Sequence, residues 1–474
     1  MAKKIIRDVS SSTIQVILNQ VLGLAIFYIL SRYLSIEDFG ELNWSIAVVS
    51  TLIILVGVGL EQIVLKRVAI RNDHALAARV FIFHTLLSSL LFFSVLVILT
   101  LLLGSVYHRW YLFPGIAISA LITYLSSPFK QIANGKEKFQ YLAIMSLAAN
   151  VSRSVLLALT IAFFSLSLYN IVLIYIISAL IELLISTIIV SRKLKQNILP
   201  VWDKREFLSL IKESFPQLGV LIFDSALARI DWIMLGIFSG AVATAEYSFA
   251  YKVFEISRLP MLIIAPVLLP KLSRYFIQHK MDSVQQNSLH FLLRLEAIIA
   301  MVIPIALNLC WVPLVSDVTA DKYGLNNRLV YLILSFSVPM HYLTNFLWTM
   351  AFAQRQIRLT FYITVAVSVS NILLNFVLIR FFGTTGAAIA FTSSTLLQVI
   401  LYKKYVDQRL FKVEIADFII CVVCAVVIVF VINRLEINYY IKSIMGVLAY
   451  LLIVFALRVI RLQEIRKFQV LLAR

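Results

Sequence analysis

Charged side chains are scarce in this chain: Asp, Glu, Lys and Arg make up 14% of its 474 residues, against about a quarter in an ordinary soluble domain. So little charge cannot cover a globular surface with hydrated groups, which excludes the soluble class. Cysteine is scarcer still. Cys310, Cys421 and Cys424 are the whole complement, and all fall inside apolar runs, so there is no disulfide framework. Cys421 and Cys424 form a C-x-x-C, but two valines separate them, the pattern is helical and no second ligand pair follows. They read as small buried hydrophobes rather than a zinc or redox site. No G-x-x-x-x-G-K-[ST] occurs, so the chain has no phosphate loop with which to use ATP. Long connections on the outer side are missing too, and with them the room for the extracellular domain on which many membrane glycosyltransferases and polymerases hold their substrates.

What the chain has instead is apolar sequence: 61% of its residues are hydrophobic and its mean hydropathy is +0.94. A helix of about 20 apolar residues crosses the roughly 30 Å hydrocarbon layer, because each residue rises about 1.5 Å and every backbone group bonds within the helix. About fourteen such segments lie near 9–34, 42–65, 79–103, 110–129, 140–164, 168–191, 215–238, 245–269, 287–312, 327–353, 359–381, 385–402, 413–433 and 439–460. They predict an all-α, polytopic membrane protein. The first resembles a signal peptide, but its apolar core is too long, and Arg32, Glu37, Asp38 and Glu41 stand where small cleavage-site residues belong; it is expected to remain as a span.

With the amino terminus placed inside, 31 of the 42 Lys and Arg residues fall on the inner side, 7 on the outer side and 4 deep within spans. That bias predicts both termini in the cytoplasm. The formal net charge of +18 then needs no nucleic acid, because basic residues facing anionic lipid account for it.

The longest inner connection, 192–214, carries Lys193, Lys195, Lys204, Arg205 and Lys212 around Pro200 and Trp202. It reads as a linker with a short interfacial helix from about Asp203 to Glu213. It separates an N-lobe at 1–191 with six spans from a C-lobe at 215–405 with six more; 406–474 adds two accessory spans and a tail. An offset of 205 pairs FGELNWS after the first span with TAEYSFA after the seventh, so that Glu41 falls on Glu246, Lys66 on Lys271, and Asn19 and Gln20 on Asp224 and Ser225. Six spans, an even number, make the halves enter from the same side. Such parallel repeats, in transporters, place the cargo between them.

Ionised groups at the centre of a span cost about 2.5–3.5 kcal/mol each on insertion scales, and here they cluster. Span seven carries Asp224, Arg229 and Asp231, and span eight carries Lys252, Glu255 and Arg258; Arg153 lies in span five and Glu182 in span six. Rise per residue puts Asp224 and Arg258 roughly 13–17 Å from the inner surface, near the midplane. On span eight, Lys252, Glu255 and Arg258 share a side with Tyr247 and Tyr251, while Ser12, Gln15, Asn19 and Gly23 make a stripe on span one. Such stripes suit a wetted passage. The plainer reading is mutual neutralisation: Arg153 with Glu182, and Arg229, Lys252 and Arg258 with Asp224, Asp231 and Glu255. His341 with Asn345, and Ser368 with Asn371 and Asn375, read as hydrogen-bonding groups between helices. Glu61 and Glu296, nearer the inner ends, read as partners for loop bases. Trp110, Tyr111, Trp311, Tyr439 and Tyr440 fit interfacial belts.

The run GLAIFYILSRYLSIEDFGELNWSIAVVSTLIILVGVGLEQIVLKRVA, ANGKEKF after span four, the tract from Asp231 to Arg274, and GTTGAAIA at Gly383–Ala390 resemble polysaccharide transport proteins. These are the Wzx-type flippases of the multidrug/oligosaccharidyl-lipid/polysaccharide (MOP) superfamily, and the resemblance covers most of the chain. It implies two six-helix lobes around a cavity that opens alternately to each face, two accessory helices and no catalysis. It implies as cargo undecaprenyl pyrophosphate-linked oligosaccharide, moved across the bacterial inner membrane for O-antigen, lipopolysaccharide or capsule synthesis. Arg153, Arg229, Lys252 and Arg258 would engage the pyrophosphate and sugar. Asp224, Glu255, Asp231 and Glu182 would partner these bases or carry a coupling proton or sodium ion, with Gln15, Asn19, Tyr247 and Tyr251 as polar lining. No other cofactor and no metal site is implied; the expected partners beside lipid are a polysaccharide polymerase and chain-length proteins. The first span has no arginine before Arg32, unlike the lipid II flippases of cell-wall synthesis, which argues against that cargo. Two other functions stay open. Efflux of cationic drugs should show acids dominating an apolar cavity, whereas acids and bases are matched here; a polysaccharide polymerase or ligase is opposed by the short outer loops.

Overall fold

The structure is a computed structural model and describes residues 2–70, 75–103, 111–261, 283–354, 356–410 and 412–459. Among the described residues every regular element is a helix, and eleven helices are long and apolar enough to cross a membrane. The protein is an all-α, multi-pass membrane protein. Expected span seven falls on the helix Lys204–Phe238 and the start of expected span eight on Gly240–Ser257, charged helices that are not among those eleven, while 262–269 of span eight lies outside the described residues. Lys271, Arg274 and Trp110, named by the repeat, the family tract and the aromatic belt, lie outside the described residues. The chain divides into two compact units, Met1–Ile233 and Met234–Arg474.

The first unit contains α1 (Ala2–Tyr33), α2 (Ile36–Gly57), α3 (Leu60–Ile70), α4 (Ala75–Leu103), α5 (Leu112–Gly135), α6 (Phe139–Phe163), α7 (Leu168–Ile188) and most of α8 (Lys204–Phe238). A π-helical turn, Ile189–Lys193, extends α7. The central member is α5, which packs against α2, α3, α4, α6 and α7. Expected span two, 42–65, is broken. Val58 (φ 49°) and Gly59 (φ 70°) turn the chain between α2 and α3. A Cβ on Gly59 would stand 2.9 Å from the Leu218 backbone nitrogen and 3.2 Å from the Ser214 carbonyl oxygen, so only glycine lets this elbow approach the α8 backbone.

One end of this unit closes around Leu60 and Val64 of α3, Phe81 of α4, Ile132 of α5 and Leu210 of α8. Asp203 caps α8, its Oδ1 accepting the Glu206 N–H at 2.8 Å. Arg67 then reaches Glu206 at 2.6 Å and Glu213 at 2.9 Å, and Lys66 reaches Glu213 at 2.8 Å. Lys66 first, and Arg67 with it, holds the Glu213 carboxyl below its ordinary value of 4.5. The stretch expected as a separate interfacial helix is thus the first part of α8, which runs on through Pro216 to Phe238. Apolar residues such as Leu210 and Phe207 fasten it to the bundle.

The second unit contains α9 (Gly240–Ser257), α10 (Ser283–Thr319), α11 (Arg328–Ala353), α12 (Ile357–Arg409), α13 (Ala416–Asn433) and α14 (Tyr439–Ala456). Helix α10 packs against α11, α13 and α14, and α11 packs against α9 and α12. The 53 residues of α12 would stretch about 80 Å as one rod, far beyond a bilayer. They form two spans that reverse at Gly383 (φ 53°, ψ −128°). A Cβ on Gly386 would meet the Leu378 carbonyl oxygen at 2.1 Å, and Ala387, Ala388 and Ala390 beside it are fully buried. The small residues of GTTGAAIA are therefore the seam of a tight helical hairpin.

Trp311 is not in an interfacial belt. It is 2% exposed, stacks on Tyr331 with ring centroids 3.9 Å apart, and donates its indole N–H to Asn327 Oδ1 at 3.1 Å. Tyr111, Tyr439 and Tyr440 are exposed. All three cysteines are free.

Candidate functional site

In the first unit a cavity of about 420 Å³ opens among α2, α3, α5, α6 and α7, within the roughly 300–1,000 Å³ range of ligand pockets. Ile46, Val49 and Ile53 of α2 form an apolar wall, while Ser119, Ser127 and Lys130 of α5, Glu61 of α3, Arg153 of α6 and Tyr175 of α7 supply polar groups.

Sequence reasoning offered Arg153 and Glu182 as partners. They are not. Glu182 of α7 is 2% exposed; it accepts the Ser126 hydroxyl at 2.6 Å and pairs with Lys130. Lys130 was expected in an inner loop, yet α5 continues past it to Gly135. The signal was there, since IAN after Gln131 prolongs the helical pattern before Asn-Gly ends it. Glu61 is likewise no partner for a loop base: Ser127 donates its hydroxyl to Glu61 Oε1 at 2.6 Å, and the carboxylate sits in the first turn of α3, where exposed backbone N–H groups favour an anion. Glu61 and Glu182 thus both have donors. Arg153 instead lays its guanidinium on the Tyr175 ring, 3.8 Å from the centroid. Its buried Nε has no hydrogen-bond partner.

Other expected residues of this unit lie apart from that lining. Asn19 of α1 accepts the Asn150 side-chain amide of α6 at 2.9 Å, and Gln15 lies one turn earlier, half-buried. The side chain of Ser12 is outside the described residues. On α8, Asp224 is exposed and Asp231 buried, while Arg229 stacks on Trp232 at 4.5 Å and keeps a buried Nη1 without a partner.

The second unit has its own polar cluster, built on a broken helix. Helix α9 ends at Ser257 and Arg258 takes the cap position, two residues before Pro260, whose ring and missing N–H cannot continue the hydrogen-bond ladder. Tyr342 of α11 donates its hydroxyl to the Ser257 carbonyl at 3.3 Å, satisfying a group freed by the break. Lys252 pairs with Glu255 on the same helix at 2.6 Å. Arg258 lies 5.7 Å from the Phe254 ring, and its buried Nε has no partner. His341 packs between Phe254 and Phe391. Tyr247 and Tyr251, expected as polar lining, are 0% and 3% exposed. Their rings meet at a tilt, and Tyr251 also meets Phe254 at a tilt and Phe391 edge-to-face. Their rings serve the core because the face shared with Lys252 turns inward at this end of α9. Asn375 donates to Asn371 Oδ1 at 3.1 Å along one helix rather than to a neighbouring helix.

The profile of one family, described as "Polysaccharide biosynthesis protein", matches residues 5–276, more than half of the chain. The chain belongs to the polysaccharide biosynthesis protein family. Solved structures show which fold this family member shares. "Lipid II flippase MurJ, inward closed conformation" superposes with a TM-score of 0.72 at 16% identity, over 93% of this chain and 97% of that one. A multidrug resistance MATE family transporter of the MOP superfamily, inward-facing, follows at 0.67 and 12%, over 82% and 94%. A MOP superfamily transporter from Pyrococcus furiosus, whose pocket is described as having reverse polarity, matches at 0.56 and 12%, over 85% and 96%. At these identities the likeness is one of fold. No curated protein matches the chain in sequence.

Proposed function

We propose that this family member is a flippase that carries undecaprenyl pyrophosphate-linked oligosaccharide from the cytoplasmic to the periplasmic leaflet of the bacterial inner membrane, for O-antigen or capsule assembly. Both termini lie in the cytoplasm, and the protein transports by alternating access rather than catalysing a reaction. One observation carries the reading: Arg153 lines the first-unit cavity, stacked on Tyr175 and paired with no carboxylate among the described residues. Glu61, which lines the cavity, accepts the Ser127 hydroxyl, and Glu182, behind the lining residue Lys130, is held by it and by Ser126. That leaves Arg153 as a base with no carboxylate partner among the described residues, ready for an anion. Stacking fixes the guanidinium plane and frees its N–H edges for bidentate hydrogen bonds to phosphate. The head group enters sideways from the inner leaflet, while the prenyl tail stays in lipid. Arg229 and Arg258, each with a buried nitrogen lacking a partner, and Lys252 are further proposed contacts for pyrophosphate or sugar. Asp224, Asp231 and Glu255 are proposed as their charge partners.

In vesicles loaded with a defined lipid-linked oligosaccharide, Arg153→Ala should slow flipping about tenfold or more, the loss of roughly 1.4 kcal/mol, and Arg153→Lys should recover part of it. Unchanged flipping in Arg153→Ala would overturn the reading. In cells, Arg258→Ala or Lys252→Ala should abolish surface polysaccharide at unchanged membrane abundance; normal polysaccharide in both variants removes those two residues from the site. The fold shared with MATE transporters gives the rival reading, drug efflux. A deletion strain with raised drug susceptibility and a normal lipid-linked sugar pool would favour that rival.

A further inference from the structure

The interior of the second unit holds a carboxyl group that its surroundings leave alone. Glu296 of α10 lies about 10 Å along the helix from Leu289, where the apolar stretch Leu289–Thr319 begins. It is 1% exposed, and both carboxylate oxygens are buried with no hydrogen-bond partner. The sequence suggested pairing with a loop base. Arg294, two residues earlier, has other work: its Nε is 3.6 Å from Asp417 of α13 and its Nη1 donates to the Val459 carbonyl at 3.2 Å. Two residues turn about 200° around a helix, so Glu296 points away from that pair, on the stripe of Leu293, Ala297 and Ala300, all buried.

The other titratable groups on the packed helices are accounted for. On α11, the Tyr342 hydroxyl lies within electrostatic reach of both Glu296 and Arg258 and donates to the Ser257 carbonyl; His341 is packed in aromatic rings. On α9, Lys252 holds Glu255. Between α13 and α14, Cys421 meets Tyr450. On α10 itself, His290 reaches the Lys412 carbonyl at 3.3 Å.

A carboxylate ion deprived of water, donor and counter-charge is among the least favourable states a side chain can take inside a membrane protein, and adding a proton abolishes it. A metal ion does not fit as well, since no group of three or more metal-ligating side chains exists among the described residues. We propose that Glu296 is a proton-binding site: it is held as the neutral acid in this conformation and releases its proton to water when the break at Ser257–Arg258 moves and wets it. Arg258, with its unpartnered Nε and with Tyr342 in reach of both groups, is the counter-charge that stabilises the ionised state. The site stands by itself; its coupling to cargo rests on the flippase reading.

The test uses the full chain in lipid nanodiscs, titrated with pH and read by the infrared carbonyl stretch of protonated carboxyl groups. A band present at neutral pH and lost in alkali should disappear in Glu296→Gln, a neutral mimic of the acid, and persist in Glu436→Gln, an exposed control. No such band in the natural protein, or an unchanged band in Glu296→Gln, overturns the site. In vesicles, a pH gradient should change the flipping rate of the natural protein and leave Glu296→Gln indifferent. Equal response in both, or in neither while both flip, overturns the coupling. If no saccharide moves in either protein while the band difference holds, the cargo reading fails and the proton site is supported.

Discussion

The two units handle buried charge differently. In the first, the ties run between helices: Lys130 of α5 meets Glu182 of α7, Arg153 of α6 stacks on Tyr175 of α7, and Ser127 of α5 holds Glu61 of α3. In the second, the cluster at the break is tied along one helix, with Lys252 holding Glu255 a turn away and Arg258 lying over Phe254, and the pair of Arg294 of α10 with Asp417 of α13 is separate from it. Ties between helices change when helices shift; ties along a helix travel with it. A shift of α5, α6 or α7 therefore reshapes the first-unit cavity directly, whereas the second-unit cluster can move as a block about the break at Arg258.

The sharpest way to break this contrast is to remove one base from each unit. Lys130→Ala takes the counter-charge from buried Glu182 and leaves it with a serine alone, and should destabilise the protein by about 3–5 kcal/mol. Adding Glu182→Gln should restore most of the loss in a thermal melt in detergent. If Lys130→Ala is as mild as Lys252→Ala, the distinction fails. Next in size, Gly59→Ala forces a Cβ against the α8 backbone at a positive φ and should cost about 1–3 kcal/mol, read in the same melt. Lys252→Ala should change stability by no more than about 0.5 kcal/mol, because its partner is on the same helix and half-exposed; a much larger loss would mean that it braces other helices. The smallest effect concerns pH. Glu213 is held below its ordinary 4.5, so its contribution is complete above that value and is lost as pH falls through the depressed one. Stability of the natural protein should decline over that acid range, and Glu213→Gln should flatten the decline.

The membrane fold was legible because lipid imposes one rule that residue chemistry displays openly, namely long apolar helices. The reversal at Gly383 showed itself as a polar gap. The α2–α3 elbow did not, because Val58 and Gly59 are as apolar as a span and only the nearness of α8 requires the turn. The candidate site was half legible. Charged residues could be located, but pairing depends on which faces of neighbouring helices meet, so Glu182 found Lys130 instead of Arg153. Trp311, Tyr247 and Tyr251 were misassigned for a related reason: a polar tip on an aromatic ring does not reveal whether the ring faces core, water or lipid.

The reversal within α12 bears on how the protein is made. With Gly383 at the bend, Gly386 pressed on the Leu378 carbonyl and Arg380 lying 4.1 Å over Phe376, no slack connects the two spans. So tight a bend favours insertion of the two spans as a pair, and a bulky residue at position 386 should be felt first as failed biogenesis.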